Sequence, residues 1–396
     1  MNNKNNYESN IWKLYLFTFI HHLHFISAVL IPFFIEWGKI PFYQIMILQA
    51  IFTASALLFE APTGVIADKY GRKNSIAIGS LVSAFGFLLY ILYPSFYIFA
   101  LGEIILGLGL ALISGADESL FYDTLRQLKR EKESKKLLSR LDSLNMLGLL
   151  ISAPIGGFIA YFLGVRWAFG LMIVPILISF FIILSVKEPK IGRASTRNQH
   201  YIDIFRKGIS FFANHKILKI MAIDATIVSA LMFFVIWVYQ YKLQELGVSI
   251  AYFGLIHAFL VIAQIIVLNS FSFLEKAIGG KSRYLLLSAL VPGVFFIILG
   301  ASYSPVLAIV SMMVIAGFGL SRKRLYFNYM HKYIPSTKRA TVISSVSMIY
   351  RLAMTLNNII MGFLVNWNLQ YALYILGATV IFLALLIKIE EKHLKD

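Results

Sequence analysis

Gly64-Val65-Ile66-Ala67-Asp68-Lys69-Tyr70-Gly71-Arg72-Lys73 is a short polar seam between two long apolar runs, residues 43–66 and 75–93. Each run is close to the roughly 20 apolar residues that a helix needs to cross a bilayer core. Working outward with the same ruler gives twelve runs, near 11–35, 43–66, 75–93, 96–121, 140–163, 167–186, 217–241, 251–273, 284–301, 305–327, 340–364 and 369–387. They are numbered below as spans one to twelve. They are too long, and alternate too little, to be strands of a membrane barrel. Composition agrees: 59% of the 396 residues come from the set AVILMFWYC and 14% are charged, against about 45–50% and about 25% in soluble domains. Disorder and a collagen-like chain are excluded by the same figures, and a disulfide scaffold by the absence of Cys. The expected fold class is an all-α membrane protein.

The formal charge of +17 does not point to nucleic acid, because the basic residues form no stripe interleaved with aromatics. They sit in the seams between runs. Counted by side, all but Lys39, Arg166, Lys242 and Arg351 fall on the side of the amino terminus. That asymmetry predicts cytoplasmic termini in a multi-pass protein of the cell membrane. The run 11–35 is too long for a signal-peptide core and lacks a small-residue cleavage site, so it is expected to remain as span one.

The polar connector from Lys187 to Lys219, with Pro189, Gly192, Arg193, Arg197 and Asn198, divides six spans from six. The division reads as a bundle over 1–190, a linker over 191–215 and a second bundle over 216–396. Faint echoes support two pseudo-symmetric six-helix bundles. Tyr93-Pro94 is matched by Tyr303-Ser304-Pro305, and Leu120-Phe121-Tyr122-Asp123 by Leu325-Tyr326-Phe327-Asn328. Repeated halves are a habit of secondary transporters.

Ionisable groups in hydrocarbon cost about 2.5–3.5 kcal/mol each, so their distribution is informative. Spans three, six, nine and twelve carry none in their interiors. Span one holds His21, His22 and His24; span four Glu103, Asp117 and Glu118; span seven Asp224; and span ten Arg322-Lys323-Arg324. Span two adds Glu60, span eight His257, and span eleven Arg351 with the polar Asn357 and Asn358. A period of three spans is what four three-helix units around an aqueous cavity produce.

The seam contains Gly64, Asp68, Gly71, Arg72 and Lys73 in the order G-x-x-x-D-x-x-G-R-K, and it resembles the signature loop of the major facilitator superfamily. A degenerate second copy lies at Glu275-Lys276 with Gly279-Gly280-Lys281. Glu60-Ala61-Pro62-Thr63-Gly64, and Ser114 to Glu118 with Tyr122-Asp123, resemble a prokaryotic branch near the drug:proton antiporters. Read physically, Gly64 permits close helix approach, Gly71 permits a tight turn, and Asp68 can pair with Arg72. The resemblance implies a cytoplasmic latch in which Arg72 meets the acid at the end of span four, Asp123. It also implies an Arg in span four where this chain has Glu103. A span-five antiporter motif is partly kept in Gly148 and Ala153-Pro154-Ile155-Gly156-Gly157.

Glu103 and Asp224 are candidates for proton coupling, each with a buried hydrogen bond or ion pair as the alternative. His21 and His24, three apart, would share one helix face while His22 points elsewhere. They suit either proton coupling or ordinary hydrogen bonding. Arg351, Asn357, His257, Trp237 and Tyr239 are candidates for lining a substrate cavity, and Phe25 and Tyr326 are aromatic neighbours of the same kind. Asp117 and Glu118 on one side, and Arg322 and Lys323 on the other, are candidates for charge pairing between bundles. No cofactor and no resident metal are expected, and no enzyme motif is present.

The reading is a secondary transporter, a monomer in the lipid bilayer that exports a small amphipathic organic compound by alternating access, with protons as coupling ion. Transport of a metal ion or complex through the span-one histidines, or proton-coupled import of a metabolite, are the alternatives.

Overall fold

The computed structural model describes residues 2–189, 210, 215–330, 333–334, 339–387 and 389–394. Most of the linker expected over 191–215 lies outside the described residues. Among the described residues the chain is helical throughout. Eleven helices are long and apolar enough to cross a membrane, and a bent pair makes a twelfth. The unbroken spans are Phe42–Tyr70, Arg72–Leu92, Phe96–Gln127, Glu131–Leu163, Val165–Ser185, Lys216–Glu245, Ile250–Ile278, Lys281–Ala301, Pro305–Met330, Ser345–Trp367 and Leu369–Leu386. Span one is the exception. It runs as Tyr7–Ala28 and Leu30–Trp37 with a bend of 59°.

Local chemistry sets the ends. Span three starts after Gly71 at φ 99° and span nine after Gly280 at φ 131°, a region that costs glycine little and other residues much. Pro305 opens span ten, where a missing N–H is harmless. Gly115 at φ 77° interrupts span four, and a new helix, Ala116–Gln127, begins with Asp117 and Glu118 in its first turn. Carboxylates there face the positive end of the helix dipole.

By contact the chain divides into two compact units. One comprises Met1–Ile40, Ile51–Asn198 and Ile250–Ala258; the other comprises Pro41–Ala50, Gln199–Ser249 and Phe259–Asp396. The first unit thus includes the start of span eight, and the second the start of span two. In the first unit the start of span eight lies on span five so closely that a Cβ on Gly254 would fall 2.0 Å from the Ala153 carbonyl oxygen. In the second, Gly362 of span eleven meets Met46 of span two. Small residues give helices in a membrane their close contacts, since apolar bulk gains nothing from leaving lipid.

The first unit has a core of Leu14, Phe17, Ile76, Ile113, Leu120, Phe121 and Leu125, and the second one of Met221, Tyr284, Tyr326, Tyr329, Val342 and Val346. Phe162, Phe181, Phe273 and Leu386 are exposed, as befits side chains that meet acyl tails.

Candidate functional site

The polar seam is a hydrogen-bonded junction. Helix starts leave backbone amides unsatisfied, and at span three Glu188 supplies the missing acceptors. The Arg72 and Lys73 amides donate to its two carboxylate oxygens, each at 2.9 Å. The Arg72 guanidinium donates to the Ser119 carbonyl at 2.7 Å and forms an ion pair with Asp123. The carboxylate paired with Arg72 is thus Asp123, and Asp68 is exposed in the last turn of span two. Arg72 lies beyond the Gly71 turn and points toward the end of span four. Among the described residues nothing lies within 4 Å of a Cβ built on Gly64, so none of them packs closely on it.

The second junction is the break in span one. The first helix ends at His21, residues 22–24 are unwound, and a 3₁₀ turn follows over Phe25–Ala28. The freed backbone finds new partners. The His24 amide donates to Ser152 Oγ at 2.9 Å, and His22 Nδ1 lies 2.7 Å from the Thr18 carbonyl oxygen. Gly148, Ser152 and Gly156 are spaced four apart on one face of span five. A Cβ on Gly148 would press on the Phe19 carbonyl at 2.9 Å, and one on Gly156 would collide with the Phe25 carbonyl at 1.9 Å. Only glycine lets the two backbones meet there.

The break also overturns the helical-face argument for the histidines. Because the helix stops at His21, His22 and His24 stack with ring centroids 6.0 Å apart, and His21 meets His22 edge-on at 5.6 Å. His257, which belongs to the same unit, is close enough to His24 to act on it electrostatically. His21 Nδ1 is buried with no hydrogen-bond partner among the described residues. No group of three metal-ligating side chains occurs among the described residues.

Glu103 is buried in span four against Tyr90 of span three, whose hydroxyl hydrogen-bonds to it. Tyr90 in turn lies in an aromatic cluster of Phe33, Phe34, Phe87, Phe99 and Phe169. Asp117 accepts the amide of Glu118 at 2.8 Å, and Glu118 is exposed.

The second unit holds its charge inside. Arg322 of span ten is fully buried and grips Asp224 of span seven with two nitrogens. Nε lies 2.9 Å from Oδ1, and Nη2 lies 2.8 Å from both carboxylate oxygens. Tyr326 donates to Asp224 Oδ2 at 2.7 Å, and Arg322 Nη1 reaches Ser288 and the Leu285 carbonyl of span nine. Arg322 is thus committed within its own unit and is not free for Asp117 or Glu118. Asp224 is its counter-ion. Lys323, one residue on, points elsewhere, with its Nζ 3.7 Å from the centre of the Tyr350 ring.

Asn357 donates to the Ala230 carbonyl of span seven at 3.2 Å. Arg351 is half-buried in span eleven, and Trp237 packs on Phe233. Tyr239 is fully buried and hydrogen-bonded to Gln240.

Against known proteins, the family model described as Major Facilitator Superfamily matches residues 15–322. The chain belongs to the major facilitator superfamily. It is a membrane transporter of small molecules, not an enzyme. Among superfamily relatives it is 24% identical over 361 residues to the uncharacterized MFS-type transporter YxaM of Bacillus subtilis, covering 90% of this chain and 89% of that one. It is 32% identical to the quinolone resistance protein NorB of Staphylococcus aureus over 133 residues, 34% of this chain and 28% of NorB. In fold it is similar to the nucleoside transporter NupG, with TM-score 0.79, 15% identity, and 95% and 98% coverage. It is likewise similar to the POT family transporter PepTSo, with TM-score 0.73, 12% identity, and 96% and 97% coverage.

Several residues of these superfamily junctions escape a reading of the sequence: Glu188, Ser152, Tyr90, Ser288 and Tyr350. One signal is available for Glu188. The sixth span of each half is followed by an acid, Glu188 in one and Glu390-Glu391 in the other.

Proposed function

We propose that the protein is a proton-coupled exporter of small amphipathic organic compounds, working by alternating access as a monomer in the cell membrane with both termini cytoplasmic. The observation that carries this reading is the break in span one. Interrupted helices in secondary transporters put free backbone groups and polar side chains at the transport site. Here the interruption coincides with three histidines, the side chain whose charge changes near neutral pH. Polar groups placed so deep are expensive unless they serve function.

A gradient drives transport only through groups whose protonation differs between the two access states. The histidines of the break and Glu103 are the groups proposed for that role. Asp224 is assigned to structure, because Arg322 and Tyr326 together engage both of its carboxylate oxygens. Export is favoured by the partial similarity to NorB and by the glycine face of span five. The side preference of Lys and Arg favours cytoplasmic termini.

The test uses everted membrane vesicles and a panel of labelled amphipathic compounds, with and without an imposed proton gradient. Gradient-dependent accumulation is expected for the parent protein. The His22→Gln/His24→Gln variant and Glu103→Gln should each fold normally, with transport that no longer responds to the gradient. Accumulation that ignores the gradient in the parent, or that occurs only in right-side-out vesicles, would overturn coupling or direction respectively.

A further inference from the structure

Four of the six buried side-chain polar atoms that lack a hydrogen-bond partner among the described residues lie on spans seven and eleven of the second unit. They are Ser229 Oγ, Trp237 Nε1 and both amide atoms of Asn358, so the shortfall is concentrated at one pair of helices. Asn358 is 1% exposed and Ser229 4%. Buried polar groups are seldom left unmet, because each has given up its bonds to water without replacement.

A hydrogen bond brings two of these residues to one level. Asn357 Nδ2 donates to the Ala230 carbonyl at 3.2 Å, and Asn358 and Ser229 are the chain neighbours of its two ends. Adjacent Cα atoms are about 3.8 Å apart, so the two backbones meet here. Yet the two side chains do not bond each other. Span seven is irregular on both sides of this level. A π-helical turn, Asp224–Val228, ends immediately before Ser229. The Phe234 amide donates to the Leu231 carbonyl at 3.2 Å, where an α-helix would take it to Ala230, and the Ala230 carbonyl serves Asn357 instead. Departures of these two kinds inside a long helix mark functional sites and hinges. Phe233 lies one turn from Ser229 on the same side, and its ring meets that of Trp237 edge-on at 5.9 Å. An aromatic wall thus continues from the polar pair.

We propose that Asn358 and Ser229 form a subsite for a neutral carboxamide on the transported compound, with Phe233 and Trp237 against its apolar body. This names a substrate class, amphipathic carboxamides, and rests on the transporter reading given above. The fit is one of complementary edges. A carboxamide presents an N–H and a carbonyl oxygen side by side, and the Asn358 side chain presents the same two in reverse, so two bonds close a ring. The Ser229 hydroxyl donates to the second lone pair of the same carbonyl. A carboxylate offers no donor to Asn358 Oδ1 and an ammonium no acceptor to Nδ2, and either would bring an unpaired charge into an apolar setting. The irregular turns that flank Ser229 are where span seven gives to admit the group between the helices.

The test is equilibrium binding to the full chain in nanodiscs of zwitterionic lipid, corrected for uptake by empty discs and with no gradient imposed. The probes are 2-naphthamide, N,N-dimethyl-2-naphthamide, which keeps the acceptor and loses the donors, and 2-naphthoate. Saturable binding of 2-naphthamide is expected, at least tenfold tighter than that of either other probe. Asn358→Leu and the smaller Asn358→Ala should each abolish this preference in monodisperse protein. Ser229→Ala, a milder change, should weaken 2-naphthamide at least threefold. The proposal is overturned if 2-naphthamide is not preferred, if its binding does not saturate in the millimolar range, or if a monodisperse Asn358 variant keeps the preference. Selective binding by a protein whose vesicles ignore the proton gradient would overturn the coupling and uphold the subsite. Gradient-driven export without any preference for the carboxamide would do the reverse.

Discussion

The two units use the same backbone device and opposite electrostatics. In the first, Glu188 accepts the amides that open span three. In the second, Glu391 accepts those of Lys281 and Ser282, which open span nine, at 3.0 and 2.7 Å. Beyond that shared clamp they diverge. The first unit carries its ion pair at the rim, Arg72 with Asp123, with side chains 29% and 26% exposed. By the internal offset the place of Asp123 is taken by Asn328, and the second unit moves its pair inside, Arg322 with Asp224, at 2% and 1%. A partly solvated pair holds weakly, because water competes for both charges. A buried pair whose oxygens and nitrogens are engaged on several sides resists opening. The first unit therefore carries the pair that costs less to open and the second the pair that costs more.

The sharpest way to break this contrast is to cut the buried pair. Arg322→Gln leaves Asp224 uncompensated in the interior and should cost about 3–5 kcal/mol. The replacement of both residues, Asp224→Leu with Arg322→Met, should regain much of it. Unfolding followed by intrinsic fluorescence in detergent measures both, and equal Tm for parent and Arg322→Gln would sink the assignment.

An intermediate effect is expected at the shared clamps. Glu188→Ala and Glu391→Ala should each lose about 0.5–2 kcal/mol, as caps do, and by similar amounts. Unequal losses would show that one clamp is supported by other contacts. The smallest stability effect belongs to the rim pair. Arg72→Gln should change unfolding by at most about 1 kcal/mol, while its transport rate falls well below that of the parent. A variant that transports normally would remove the latch from the mechanism.

The spans are legible in the sequence because hydropathy is a property of whole segments and survives errors of a few residues at their ends. The break in span one is not, since apolar content says nothing about where a backbone unwinds. Its trace is the spacing of Gly148, Ser152 and Gly156, whose consequence appears only once span five is laid against the carbonyls of Phe19 and Phe25. Arg322-Lys323-Arg324 shows a second limit. Three adjacent bases look alike on the page, yet helix rotation sends Arg322 to Asp224 and Lys323 to Tyr350. The partner of Glu103 is hidden for a similar reason, as Tyr90 is one of 21 tyrosines and nothing local marks it out.

The clamp at Glu391 has a practical side. Lys281 Nζ reaches the Leu394 carbonyl at 3.1 Å, and Ser282 Oγ donates to that of Ile389. Residues 389–394 therefore belong to the folded body and are not a spare tail. Anyone attaching a purification tag or fluorescent reporter should join it after Leu394 through a pliable spacer, because trimming back to Ile389 would unseat the start of a helix more than a hundred residues upstream.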